Sequence, residues 1–274
     1  MRPRYSFSSH RTGQAKDPKN IVKQKKKFPE VARKVLEESD IILQVLDARF
    51  TEDTRNPEIE EYIKLNNKKI INVINKTDLT LKTKINLPPS PYEIISCTKR
   101  AGIKKLRNKI KNIASKIQKQ ERIVVGVVGY PNTGKSSVIN ILIGKKSAPT
   151  GSDAGFTKGV QKLKLSQDIV ILDSPGVIPK QEYSSVENKK LAKSAKVGAR
   201  SYSQIKDPEQ IITDLMTEFP NLIQKHYKIE TKSSEYLLEK IGREKNFLKK
   251  GNKVDYDKAA RLILKDWQQG RIKV

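Results

Sequence analysis

The sequence predicts an α/β fold: a mainly parallel sheet with helices on both faces, followed by a C-terminal all-helical domain. Three observations carry that prediction. Apolar runs of strand length, Ile41–Leu46, Ile70–Ile74, Tyr92–Ile95, Ile123–Val128 and Ile169–Leu172, alternate with segments of helical period. The longest of these runs lack the polar alternation of a half-exposed strand, as expected for strands covered on both faces. Past Pro179 the strand runs stop and helical patterns continue to the end. Such strand–helix alternation builds a parallel sheet through helical crossovers. At 274 residues the chain has room for one such domain and a smaller one.

Residues 1–20 place Arg2, Arg4, Arg11, Lys16 and Lys19 among Ser, Gly and Pro, a composition that buries too little apolar surface to order itself and reads as a mobile basic arm. The sheet domain spans residues 21–178. It opens with a basic amphipathic helix from Ile21 through Val31, Val35 and Leu36, and the first strand follows at Ile41. Asn56 before Pro57 is an N-cap with proline in the first turn, and it starts a helix through Ile59 and Ile63. A loop with Pro88, Pro89 and Pro91 leads to the short strand at Tyr92, and Ile103, Leu106, Ile110, Ile113 and Ile117 then recur at helical spacing. The strand Ile123–Val128 runs into a Gly-rich turn and the helix Ser136–Ile143. In residues 179–274, helices are separated by Pro208, Pro220, Gly242 and Gly251. The last helix has Asp255 as its cap, Tyr256, Ala259, Ala260, Ile263 and Trp267 on one face, and Lys258, Arg261 and Lys265 on the other.

Lys and Arg number 56 against 30 Asp and Glu, a formal charge of +26 with a pI near 9.9. Such an excess calls for a polyanionic partner, and nucleic acid fits best. A membrane is disfavoured, because no apolar run approaches the roughly 18 residues needed to span one. The N-terminus has no apolar signal region, which predicts a cytoplasmic protein. Cys97 is the sole cysteine and His10 and His226 are the only histidines, too few for a disulfide or a Cys/His zinc site.

GYPNTGKSS, Gly129 to Ser137, satisfies G-x-x-x-x-G-K-[S/T] between a strand and a helix, the context in which that motif wraps phosphates. Backbone N–H groups of the turn point at the phosphates, Lys135 neutralises the β- and γ-phosphates, and the Ser136 hydroxyl is a magnesium ligand. DSPG, Asp173 to Gly176, ends the strand Ile169–Leu172, where Asp173 can hold the magnesium shell and the Gly176 N–H can meet the γ-phosphate. Thr157 lies in the loop between them, a candidate switch residue and magnesium ligand. NKTD, Asn75 to Asp78, ends the strand Ile70–Ile74. The Asp78 carboxylate accepts from N1–H and the 2-amino group of guanine, donors that adenine lacks in that arrangement. Asn75 ties neighbouring loops together, the Lys76 stem covers the ring, and Ser96, Cys97 and Thr98 offer backbone N–H groups to the guanine oxygen.

The order is inverted relative to ordinary GTPases: the base-reading motifs precede the phosphate loop. A site assembled at the carboxyl ends of parallel strands survives that change. The arrangement resembles the circularly permuted GTPases of the YlqF/RbgA and YawG type, which act in large ribosomal subunit assembly. DIILQVLDARF, with Asp47 and Arg49, is similar to that family's DAR-containing first strand, and FLKKGNKVDYDKAARLILKDWQQGRI to the ending of YlqF-type chains. The resemblance implies phosphate binding by Asn132, Thr133, Gly134, Lys135, Ser136 and Ser137, a switch at Thr157, Asp173 and Gly176, and guanine recognition by Asn75, Lys76 and Asp78. It departs at SCTK, where the family has Ser-Ala-Lys; Thr98 lacks the lysine stem. Val177 stands where Ras-like GTPases place the water-orienting glutamine, so slow intrinsic turnover is expected. Related GTPases with Asn in the phosphate loop bind potassium, which gives Asn132 that role or, alternatively, a loop-stabilising one. Lys135, Thr157, Gly176 and Asn132 are thus the expected catalytic set, magnesium the cofactor and potassium a second one. GTP and GDP, ribosomal RNA and a large-subunit precursor are the expected partners of a monomer. The competing reading is a nucleotide-sensing RNA-binding scaffold with negligible hydrolysis.

Overall fold

The computed structural model of the protein describes residues 30–80, 85–144, 161–174, 176 and 193–273. The basic arm, most of the first predicted helix, His10, Thr157 and Val177 lie outside them.

Helix α1 (residues 30–38) leads into β1 (Ile41–Asp47), buried at every position. A single turn, α2 (Thr51–Thr54), and α3 (Pro57–Leu65) follow. As expected, the Asn56 side chain caps α3 by accepting from the Ile59 N–H, with Pro57 in the first turn. The sheet continues with β2 (Lys69–Asn75), β3 (Tyr92–Ile94), β4 (Ile123–Gly129), β5 (Gln161–Lys164) and β6 (Ile169–Asp173), and α4 (Ile103–Ala114) and α5 (Lys135–Ile143) complete the layer. The spatial order is β3-β2-β1-β4-β6-β5, parallel except for β5. β5, the charged segment QKLK at one edge, is the strand that the sequence reading missed.

One face of the sheet packs Ile41, Leu43, Val125 and Val127 against Leu106 and Ile110 of α4 and Val138 and Leu142 of α5. The other packs Ile42, Val128 and Leu172 against Val35 of α1 and Ile59 and Ile63 of α3. Each fully buried side chain of this kind contributes roughly 1.5–3 kcal/mol. β1 and β4 are neighbours, with Ile41 opposite Val125. That pairing lets the motifs ending β2 and β4 converge although 58 residues separate Asn75 from Thr133.

After a helical turn at residues 193–196, the C-terminal region forms α6 (Pro208–Glu218), α7 (Leu222–Tyr227), α8 (Ser234–Glu244) and α9 (Tyr256–Gln268). It is not wholly helical: β7 (Leu248–Lys249) and β8 (Lys253–Val254) form a small antiparallel hairpin. Two residues per strand are too short to leave an alternation pattern. Gly242, expected to separate helices, instead lies inside α8, where a Cβ would collide with Val254 of the hairpin. Asp255 caps α9 as expected, accepting from the Lys258 N–H. Arg261 is not on a free basic face, since it pairs with Asp257 and donates to the Tyr202 and Ile205 carbonyls. Trp267 is fully buried, its ring 5.1 Å from Phe219 and 6.0 Å from Phe50, and its indole N–H donates to the Lys196 carbonyl. Phe50 and Tyr130 belong to the sheet domain, so the helical core is closed partly by residues from across the junction.

Candidate functional site

The phosphate side begins where β4 ends. The chain turns through Asn132 (φ 61°) and Gly134 (φ 96°), both left-handed, and enters α5 at Lys135. Only glycine fits at 134, because a Cβ would strike the Asn75 amide. The Lys135 ammonium curls back to donate to the Gly129 carbonyl at 3.1 Å and the Tyr130 carbonyl at 2.6 Å. It is buried, and burial together with the charge of Lys76 pulls it down to about 8 although Asp173 opposes the shift. Thr133 braces the turn by donating to the Tyr130 carbonyl at 3.0 Å. Ser137 is half-buried on the first turn of α5.

Asp173 ends β6 beside this loop. Its Oδ2 accepts from the Ser136 hydroxyl at 3.3 Å, while its buried Oδ1 has no hydrogen-bond partner. Burial pushes the carboxyl up, against the opposing effects of Lys135 and the Ser136 hydrogen bond. A hydroxyl and a carboxylate with an orphaned oxygen, both at strand or helix ends, are a donor set that fits a hard divalent cation such as magnesium. Ser174 is pinned by donating to the Val127 carbonyl at 2.6 Å, and Gly176 lies so close to Pro131 that a Cβ would clash. Gly176 is therefore in contact with the loop after β4.

On the other side of the site, Asn75 ties neighbouring loops together, as one part of its expected role. Its Nδ2 donates to the Thr133 carbonyl at 3.0 Å and its Oδ1 accepts from the Cys97 N–H at 3.3 Å, stitching the two loops to β2. Asp78 sits in a 3-10 turn, Thr77–Leu79, and its Oδ1 accepts from the Ser96 hydroxyl at 2.5 Å. Ser96 in turn accepts from the Lys99 N–H. Cys97 is half-buried, and burial with the nearby Asp78 charge pushes its thiol up to about 12, so it stays protonated. Thr98 is exposed.

Sequence reasoning noted Asp47 and Arg49 only as marks of resemblance and missed their place in the site. Asp47 ends β1 directly opposite Asn75 of β2. It is fully buried, and Lys76 Nζ and Arg49 Nη2 each donate to its Oδ2 at 2.8 Å. Burial would raise its pKa, but the two cations hold it well below the usual carboxylate range. Lys76 takes a left-handed backbone, φ 66°, and burial pulls its ammonium down while Asp47 opposes that. Arg49 also donates to the Trp267 carbonyl of α9 at 3.0 Å, which ties the end of β1 to the C-terminal helices. A charged pair, Asp47 and Arg49, at the end of an apolar run was the available signal. A second tie runs from the phosphate loop: Asn132 Nδ2 donates to the Gly198 carbonyl at 2.8 Å.

Among the expected site residues, Asn75, Lys76, Asp78, Ser96 and Cys97 thus gather on one side, and Asn132 through Ser137 with Asp173 and Gly176 on the other. The model of a family described as 50S ribosome-binding GTPase matches residues 124–240, beginning at β4. A GTP-binding protein of Methanocaldococcus jannaschii is 37% identical over 255 residues, covering 90% of this chain and 67% of the relative. A nuclear GTP-binding protein of Saccharomyces cerevisiae is 29% identical over 293 residues, covering 92% of this chain. The chain spans only 56% of that yeast protein's length. Among solved structures, YlqF from T. maritima bound to GNP superposes with a TM-score of 0.62 at 24% identity, over 90% of this chain and 95% of that one, a likeness of fold. No helix among the described residues is long and apolar enough to cross a membrane.

Proposed function

We propose, for a chain that belongs to the circularly permuted GTPases of the YlqF/RbgA type, that it binds and hydrolyses GTP with magnesium and uses that cycle to time its hold on ribosomal RNA in a large-subunit precursor. One observation carries the guanine-nucleotide reading. Asn75 bonds at once to the phosphate loop and to the Ser96–Cys97 loop, so motifs in inverted chain order converge on one site. The ribosomal part of the reading is supported by the description of the matching family and by the net charge of +26.

In this reading Asp78 accepts from the guanine edge and Ser96 sets its carboxylate. Asn75 holds the loops and Lys76, anchored by Asp47, lays its stem along the base. Lys135 leaves its two carbonyls for the phosphate oxygens. Ser136, Asp173 and the switch residue Thr157 would hold magnesium, which when bound neutralises charge on the phosphates. The Gly176 N–H meets the γ-phosphate. Asn132 has its amide nitrogen committed to Gly198, so a potassium role rests on its Oδ1 alone, and the loop-stabilising role has the direct support. Residues 21–178 act as the GTPase body and residues 179–274 as the region that responds to it, in a monomer of the cytoplasm.

Single-turnover hydrolysis with and without large-subunit precursors tests the proposal. Strong stimulation by the particles is expected. Unstimulated, negligible turnover alongside tight nucleotide-dependent particle binding would favour the scaffold reading, and failure to prefer guanine over adenine nucleotides would overturn both.

A further inference from the structure

The charge that calls for a polyanion is unevenly placed. Between Thr98 and Gln120 there are nine Lys and Arg and no Asp or Glu, whereas residues 193–273 carry eighteen basic residues against eleven acidic ones. Helix α6 of that region has Glu209, Asp214 and Glu218 and no cation at all. The densest positive charge in the described residues therefore lies on α4 and its flanking turns, inside the sheet domain.

Three of the nine cations serve the fold. Arg107 donates to the Ile141 and Leu142 carbonyls at the end of α5, Lys109 pairs with Glu93 and donates to the Tyr92 carbonyl, and Lys119 pairs with Asp40. The other six, Lys99, Arg100, Lys104, Lys105, Lys111 and Lys116, are exposed. Like charges crowded on one short helix repel one another, a cost that no acid of α4 offsets. Ile103, Leu106 and Ile110 turn inward to the sheet, which fixes the lysine face outward. On it Lys105, Asn108, Asn112 and Lys116 succeed one another at helical spacing, so they form a stripe along one side. Between that stripe and the edge strand β3 runs an open groove of about 440 Å³, walled on the other side by Pro91 and Glu93.

We propose that this groove and the lysine face of α4 form a docking surface for the sugar–phosphate backbone of double-helical RNA, resting on the RNA-binding reading given above. The lysines neutralise phosphates, and the Asn108 and Asn112 amides supply the paired donors and acceptors that ribose hydroxyls need. The lining contains no aromatic ring on which an unstacked base would sit, which favours backbone over single-strand recognition. The exposed residues of α4 include no large apolar side chain, as a membrane-surface helix would require. Lys99 and Arg100 lie in the turn closed by the Ser96–Ala101 bridge, which places the same surface next to the base-reading loop.

The test uses the full chain, with a mixed-sequence RNA duplex and large-subunit ribosomal RNA as probes, over a series of salt concentrations. The double variant Lys105→Glu/Lys116→Glu is compared with Lys228→Glu/Lys232→Glu, which changes net charge equally in the C-terminal region, and GDP binding checks that each variant is folded. The α4 variant is expected to lose about tenfold or more in duplex affinity and to lower the salt slope by about two, while the control changes far less. Equal losses in both variants, or none in the α4 variant, would overturn the surface while leaving RNA binding intact. A parent chain that binds neither probe would overturn the RNA reading itself. Binding to anionic vesicles through Lys105, with no RNA affinity, would replace RNA by a membrane.

Discussion

The base side and the phosphate side of the site solve the problem of buried polar groups in opposite ways. On the base side each polar side chain is held by another protein group: Asn75 between Thr133 and Cys97, Asp78 by Ser96, Lys76 by Asp47. On the phosphate side Lys135 is buried on two carbonyls with its pKa pulled down to about 8, and Asp173 keeps an orphaned oxygen and a raised pKa. The first half is shaped before a ligand arrives. The second leaves Asp173 with an unpaired buried oxygen, so a charged ligand with a cation is expected to lower its desolvation cost. Selectivity is thus expected to reside in rigid hydrogen bonding, and affinity in charge.

The largest effect is expected from Asp78→Asn, which exchanges an acceptor for a donor. Guanine should be rejected and xanthine, with a carbonyl in place of the amine, accepted, a change in preference approaching four orders of magnitude. Competition titrations with GTP and xanthosine triphosphate measure it, and unchanged GTP affinity would remove Asp78 from the base site. Arg49→Ala comes next. It strips a buried carboxylate of one of two cations and frees the Trp267 carbonyl, so stability in urea should fall by about 3–5 kcal/mol. Lys135→Ala should leave the fold intact and weaken GTP and GDP binding by about 2–5 kcal/mol, read by titration calorimetry.

A smaller effect separates the two halves by pH. With the Lys135 pKa near 8 in the free protein, its ammonium loses its proton as pH rises above 8. Phosphates bind the charged form and raise that pKa, so binding takes up a proton and affinity declines above pH 8, by at most tenfold per unit. Repeating the profile in Lys135→Ala should abolish that part of the decline. The smallest effect concerns Asn132→Ala, expected to cost about 1 kcal/mol of stability through the lost Gly198 hydrogen bond. Comparing hydrolysis in potassium and sodium at equal ionic strength then decides whether the Oδ1 atom also matters. Equal rates for parent and variant in both salts would leave Asn132 a structural residue.

Much of this site was legible because its chemistry is carried by short motifs at strand ends. Asn75, Asp78, Lys135 and Asp173 each follow an apolar run that names its own strand, and the caps Asn56 and Asp255 mark their helices by local hydrogen bonding. What escaped depends on contacts between distant segments. Nothing near Gly242 shows that Val254 will lie against it, and nothing in QKLK says that β6 will offer it an edge. The roles of Asp47 and Arg49 depend on Lys76 and Trp267, brought to them only by the closed fold. Arg261 reads as a surface cation in any helical projection and becomes structural once Tyr202 and Ile205 pass beside it.

The neighbour relations of β1 also bear on the birth of the chain. Its partners are β2, made soon after it, and β4, which begins at Ile123, 76 residues beyond Asp47. At the usual pace of translation, on the order of 5–20 residues per second, the run IILQVLD waits several seconds with one side of its backbone unpaired. An apolar strand edge left open for that interval invites pairing with another nascent chain. A permuted order therefore leaves one edge of β1 without its partner until β4 emerges.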